Sequence, residues 1–269
     1  MQHSRRHFLR NSVLATAGTL AVPQFLKAYA NAAPHAEGRV LIIVQLSGGN
    51  DGLNAVVPYE DDRYYQQRPT LAIPKEEVLK ANDQLGFHPE LGSLQQLYEA
   101  GDLCVVNSVG YPDPDRSHFR SMDIWHTASA SNEFLSTGWV GRYMDAQRDL
   151  APYAAIELND TLSLALKGMT ARGFAMRQTR QLRNSTRNPL IQAINDHEGQ
   201  HDHDTVRYLY KTLADTVSSA EYLYETSVKS GQASNQYPGG PLGRSLKQIA
   251  DLMTGGCTSH IYYADMGGF

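Results

Sequence analysis

Cysteine is scarce in this chain, and any surplus of basic charge is missing. Two cysteines, Cys104 and Cys257, among 269 residues give no disulfide framework and no zinc-type cysteine pair. They could close one bridge in an oxidising compartment, or stand as two buried thiols. A net charge of −4, with 19% charged residues, lacks the basic excess of a general nucleic-acid binder. Long apolar runs are also missing. The N-terminal apolar region, Val13 to Val22, is too short and too weak to span a membrane. Nucleotide fingerprints are missing too. The turn Ser47-Gly48-Gly49-Asn50-Asp51-Gly52 is not followed by Gly-Lys-Ser/Thr and lacks the G-x-G-x-x-G spacing. What remains is an ordinary globular balance, 41% hydrophobic, long enough for one large domain or two small ones.

The N-terminus carries an address. Ser4-Arg5-Arg6-His7-Phe8-Leu9-Arg10 places a twin arginine before Phe-Leu, then come Val13 to Val22 and the small residues of Ala28-Tyr29-Ala30. This three-part order predicts a bacterial twin-arginine signal over residues 1–32. The expected partner during export is the twin-arginine translocase, and the destination is periplasmic. The mature chain, residues 33–269, is expected to form an α/β domain with no membrane span after cleavage.

The mature chain is organised around Arg39 to Asn54. Val40 to Val44 is apolar and mostly β-branched and ends in glycines, which predicts a fully buried strand of a mostly parallel central sheet flanked by helices. Asp51 lies just past that strand's carboxyl end, where open α/β sheets bind ligands; it is equally placed to cap the next segment. Pro58 to Pro74 reads as an ordered loop whose Arg63, Tyr64, Tyr65 and Arg68 either face a ligand or staple the loop down. Phe87 to Ala100 reads as a helix stopped by Gly101, and Leu103 to Val109 as a second buried strand completing a right-handed parallel crossover. Phe119 to Thr127 is the next helix. Ser117 at its start suits either a cap or a nucleophile beside an anion, with His118, Asp123, His126 and Ser129 as further polar groups. A helix is expected from Gly138, with Trp139 and Tyr143 in the core, then a strand over Tyr153 to Leu158. Arg177 to Arg187 reads as a solvated basic face. His197, His201 and His203 match no standard metal spacing. An amphipathic helix over Thr205 to Lys229, another over Leu242 to Met253 and a last strand over Ile261 to Ala264 complete the pattern.

Several separated stretches together resemble one known family. They are the twin-arginine signal, Leu46 to Pro58, Arg68 to Pro74, Gly86 to Leu91, Arg116 to Phe119 with Ile124 to Thr127, Gly138 to Asp145, and the closing Gly267-Gly268-Phe269. The family is domain of unknown function 1501, of the alkaline-phosphatase/sulfatase-like superfamily. The resemblance implies an alkaline-phosphatase-like fold and metal-dependent phosphoryl or sulfuryl transfer on an anionic ester at the sheet's carboxyl edge. It implies that Asp51 is the first metal-binding aspartate, for zinc, manganese, magnesium or calcium. It implies that Ser117 is the nucleophile, with His118 competing as the important residue of its motif. Family members continue past the closing glycines with Asp-Thr-His and with later segments resembling the remaining metal ligands. The chain is therefore expected to be truncated at its C-terminus, with an incomplete metal site and an unpaired sheet edge, and inactive as this fragment. The alternative expectation is a non-catalytic envelope binding or assembly protein on the same fold.

Overall fold

A computed structural model describes residues 39–147, 150–196, 203–229 and 236–268. The twin-arginine segment, and His197 and His201 of the histidine-rich tract, lie outside these described residues. The chain divides into two compact units, one made of the chain up to Gln45 with Tyr111–Gly267, the other of Leu46–Gly110 with the C-terminal residues.

The first unit is α/β, with a mostly parallel four-stranded sheet flanked by helices. Its strands are β1 (Leu41–Leu46), β5 (Ala155–Glu157), β6 (Phe174–Ala175) and β7 (Ile261–Met266), in the order β1-β7-β5-β6. β5 runs parallel to both β6 and β7. The first four residues of β7 are all buried, as expected of a strand with neighbours on both sides and helices on both faces. Alternation along the strands assigns those faces. Ile156, Tyr262 and Ala264 join Leu223, Ile249 and Leu252 in one cluster. Those leucines and Ile249 come from the long α8 (Asp204–Lys229) and from α9 (Pro241–Thr254). Ala155, Ile261 and Tyr263 join Val140 and Met144 of α5 (Trp139–Asp145), and Ala165 and Leu166 of a 3₁₀ turn, in the other. The same unit contains α4 (His118–Thr127), α6 (Thr179–Thr186) and α7 (Pro189–Asn195).

The second unit holds a small antiparallel sheet, β2 (Val56–Val57), β4 (Gly86–Phe87) and β3 (Leu79–Lys80), in that order. Around it lie α1 (Gly52–Ala55), α2 (Asp62–Gln67) and α3 (Gly92–Glu99). Val57, Tyr59, Tyr64 and Val78 form its core.

Two strand expectations are corrected. The run Val40 to Val44 does form a strand, Leu41–Leu46, at the edge of the sheet, but it is not fully buried: Ile42, Val44 and Leu46, which share one face, are exposed. An apolar run reports the hydrophobicity of both faces and not whether another element covers each of them. Leu103 to Val109 forms no strand. Ser108 takes a left-handed φ of 57°, which breaks the extended run, and Val106 and Val109 are 72% and 58% exposed. The crossover expected between these two runs is therefore absent, and the sheet neighbour of β1 is the last strand in the chain. Cys104, placed in that run, is exposed rather than buried, and both thiols are free.

The helices follow expectation with shifted ends. α3 starts at Gly92, after a 3₁₀ turn opened by Pro89, and Gly101 stops it at φ 81°. Trp139 and Tyr143 pack against the core half-buried. In α9 Leu242, Leu246 and Ile249 face the core as expected, but at its end Leu252 is fully buried while Met253, expected inward, is exposed.

Candidate functional site

Asp51 caps α1, its carboxylate accepting from the Asn54 backbone N–H at 3.4 Å. The glycines before it make the turn possible, with Gly48 and Gly49 at φ 118° and 158°. The Arg68 guanidinium grips the same carboxylate bidentately, Nη1 to Oδ2 at 2.6 Å and Nη2 to Oδ1 at 2.9 Å. That pairing, ahead of every other influence, holds the Asp51 carboxyl below its usual range. Asn54 donates to the Leu71 carbonyl at 2.8 Å, and the Tyr64 hydroxyl bridges Asn54 Oδ1 to the Ile73 N–H. The Pro58 to Pro74 loop is thus stapled down by Tyr64 and Arg68. The stretches Leu46 to Pro58, Arg68 to Pro74 and Gly86 to Leu91 build one another in this unit, since Val56 and Val57 also pair with Phe87 and Gly86.

A divalent metal does not fit Asp51 in this arrangement, because a guanidinium already engages both of its oxygens. Among the described residues, no three His, Cys, Asp or Glu side chains come together as a ligand set.

Ser117 and His118 stand together in the other unit. Ser117 is the N-cap of the ten-residue α4, and its Oγ accepts from the Arg120 N–H at 3.4 Å. The Asp115 carboxylate accepts from the Ser117 N–H at 2.7 Å. Both Ser117 and His118 are exposed. Arg120 is buried, donates to the carbonyls of Ser131 at 2.9 Å and Glu133 at 2.5 Å, and lies over the Phe134 ring. It fastens the helix to the loop that follows.

The carboxyl ends of β5 and β7 carry polar groups that reading the sequence passed over. Glu157 is 2% exposed and is the register partner of Tyr263 on β7. Burial raises its carboxyl above the usual range, against the pull of the Ser163 N–H, which donates to Oε2 at 2.7 Å. Asp265, two residues after Tyr263, accepts from Asn159 Nδ2 at 3.2 Å. Burial also pushes the Tyr263 phenol up. His126, in the last turn of α4, meets Gln45 Oε1 at 2.9 Å and the Tyr263 hydroxyl at 3.4 Å through Nε2. An acid inside the apolar run Ala154 to Leu158, and another ending Ile261 to Asp265, were the available signals.

The stretch Gly138 to Asp145 is scaffold. A Cβ on Gly138 would strike the Leu164 and Ala165 backbone, and one on Gly141 the Lys167 backbone. Burial pulls the Asp145 carboxyl up, but the N–H groups of Met169, Thr170 and Ala171 and the Thr170 hydroxyl outweigh it and hold it low. The basic stretch is a solvated face: Arg177 pairs with Asp160, and Arg183 and Arg187 with Glu221. His203 is exposed. No helix among the described residues is long and apolar enough to cross a membrane.

Comparison of the chain with family profiles, with curated proteins and with solved structures gives no match.

Proposed function

We propose that this chain is an exported protein of the phosphate- or sulfate-ester hydrolase type, on an alkaline-phosphatase-like fold, with Ser117 as nucleophile at the start of α4. The observation that carries this reading is the setting of Ser117. Its hydroxyl is exposed, at the head of a ten-residue helix, and accepts from the Arg120 N–H at a long 3.4 Å. The first N–H groups of a helix lack intrahelical partners and sit at the positive end of its dipole, which suits an anionic ester. In the proposed step the Ser117 oxygen attacks phosphorus or sulfur, its proton passes to a base, and the leaving alkoxide takes up a proton. His118, next in the chain and exposed, is the candidate proposed for that base. The mostly parallel sheet with helices on both faces, and the acids at the carboxyl ends of β5 and β7, support the architecture and the edge.

A second reading is favoured by the Arg68 grip on Asp51. A carboxylate already neutralised by a fixed cation is a structural brace, as a non-catalytic envelope binding or assembly protein would use it.

One assay separates the two. Hydrolysis of 4-nitrophenyl phosphate and sulfate is followed with zinc, manganese, magnesium or calcium added, for the wild type, Ser117→Ala and Arg68→Ala. Where the wild type, or a longer chain supplying further metal ligands, hydrolyses the ester, Ser117→Ala is expected to lower the rate at least about 100-fold. Metal-stimulated activity that rises in Arg68→Ala would show Asp51 working as a ligand once released. No turnover with any metal, or full activity in Ser117→Ala, would leave the binding or assembly reading standing.

A further inference from the structure

Tyr262 is wholly buried in β7, yet its hydroxyl has no hydrogen-bond partner among the described residues. Buried polar groups without a partner are uncommon in folded chains, and redox and ligand-binding sites are among the places that keep one. The Tyr262 ring packs on the face of the sheet covered by α8 and α9. The half-buried Cys257, just past the end of α9, packs against the same cluster. The Cys257 thiol and the Ser259 hydroxyl both bear on the Tyr262 hydroxyl, and neither bonds to it. Ser259, 2% exposed, commits its proton to the Tyr153 carbonyl at 2.5 Å, and its Oγ lies 3.1 Å from Cys257 Sγ. The thiol proton therefore goes to Ser259 Oγ. What faces Tyr262 is a sulfur lone pair, a weak acceptor. An oxygen bonded to that sulfur would be a strong one.

We propose that Cys257 is a site of reversible oxidation by hydroperoxides, and that its sulfenic acid is retained because the Tyr262 hydroxyl donates to the new oxygen. In the step the Cys257 sulfur attacks one peroxide oxygen, so an S–O bond forms and the O–O bond breaks. Sulfur gives up an electron pair, the peroxide is reduced to water or an alcohol, and the thiol proton ends on that leaving oxygen. Burial, ahead of every other influence, pushes the Tyr262 phenol up, so it stays a donor at any working pH. Among the described residues no Lys, Arg or His bonds to the thiol, whose polar contact is Ser259. The site therefore keeps the product and does not hasten the step. Its half-buried setting admits a small hydroperoxide and holds off a protein thiol, whereas Cys104 is exposed. Neither Cys257 nor Tyr262 takes part in the ester chemistry, so the two readings stand or fall separately.

The test uses the full chain carrying Cys104→Ser, so that Cys257 is the thiol left. It is treated with hydrogen peroxide, the peroxide is removed with catalase, and dimedone is added after increasing delays. Mass spectrometry of peptides is expected to find dimedone on Cys257, and dithiothreitol in place of dimedone to restore the thiol. Tyr262→Phe in the same background, its folding checked by circular dichroism, is expected to shorten the interval over which Cys257 can be trapped by at least about tenfold. No adduct on Cys257, direct passage to the sulfinic acid, or an equal trapping interval in Tyr262→Phe would each overturn the proposal. Should Tyr262→Phe not fold, the Tyr262 ring resonances of the Cys104→Ser chain decide. They must shift on oxidation and return with dithiothreitol, and unmoved resonances reject the proposal.

Discussion

At the scale of a residue, Glu157 makes the sharpest statement. An acid with 2% exposure, in the middle of the sheet, accepts one strong backbone hydrogen bond and meets no cation that outweighs its desolvation. Its folded pKa is raised above the unfolded value of 4.5. The folded chain therefore binds more protons than the unfolded chain between those two values, and stability falls as pH rises through that window. Below about 4.5 the contribution is fully present, and above the folded pKa it is lost. Glu157→Gln removes the titration and keeps an oxygen for the Ser163 N–H. Thermal melts of wild type and Glu157→Gln across acid to neutral pH should show the variant gaining on the wild type as pH rises. Parallel curves would mean that Glu157 ionises in the folded state as freely as in water. His126 acts with the opposite sign. Its folded pKa is lowered, so its share of stability is present above the unfolded value and is lost as pH falls.

At the scale of an element, α5 shows how a helix can be dictated by what touches it. Gly141 lies inside a helix at an ordinary conformation, where alanine normally stabilises by up to about 1 kcal/mol. Here the Cβ would run into the Lys167 and Gly168 backbone, which cannot step aside as a flexible side chain can. Gly141→Ala should therefore reverse sign and cost about 2–3 kcal/mol. Gly92→Ala, also helical but with only the Leu79 Cδ1 at 3.8 Å from the new Cβ, should be neutral or slightly stabilising. Urea unfolding of both variants is the check, and equal effects would refute the close-approach account. This element also marks what was legible in the sequence. The helix from Gly138, the cap at Ser117, the stop at Gly101 and the long apolar stripe of α8 were readable, because they depend on local chemistry and on period. The alternation that sends Tyr262 to one face and Tyr263 to the other was implicit in Ile261 to Ala264. What a side chain meets across the sheet was not. Arg68 on Asp51, and Tyr263 against His126, join residues 17 and 137 positions apart, and no spacing rule reaches that far.

At the scale of the whole chain, the decisive observation concerns a run that sequence alone would place in the core. Leu103 to Val109 has the composition of a buried strand, with three valines and a leucine in seven residues. Ile261 to Ala264 is of the same type, yet it is central and fully buried. The difference is positional. β7 lies between β1 and β5, so its backbone groups are paired along both edges, while the 103–109 run carries a left-handed Ser108 and pairs with no strand among the described residues. Hydrogen exchange follows that distinction, because an amide without a partner exchanges near the rate of an open chain, whereas one in a central strand waits for unfolding of the unit. Exchange read by mass spectrometry on overlapping peptides should show Tyr262 to Ala264 strongly protected and Val105 to Val109 essentially unprotected. Protection of both runs to the same degree would put Leu103 to Val109 back into a sheet and restore the parallel crossover.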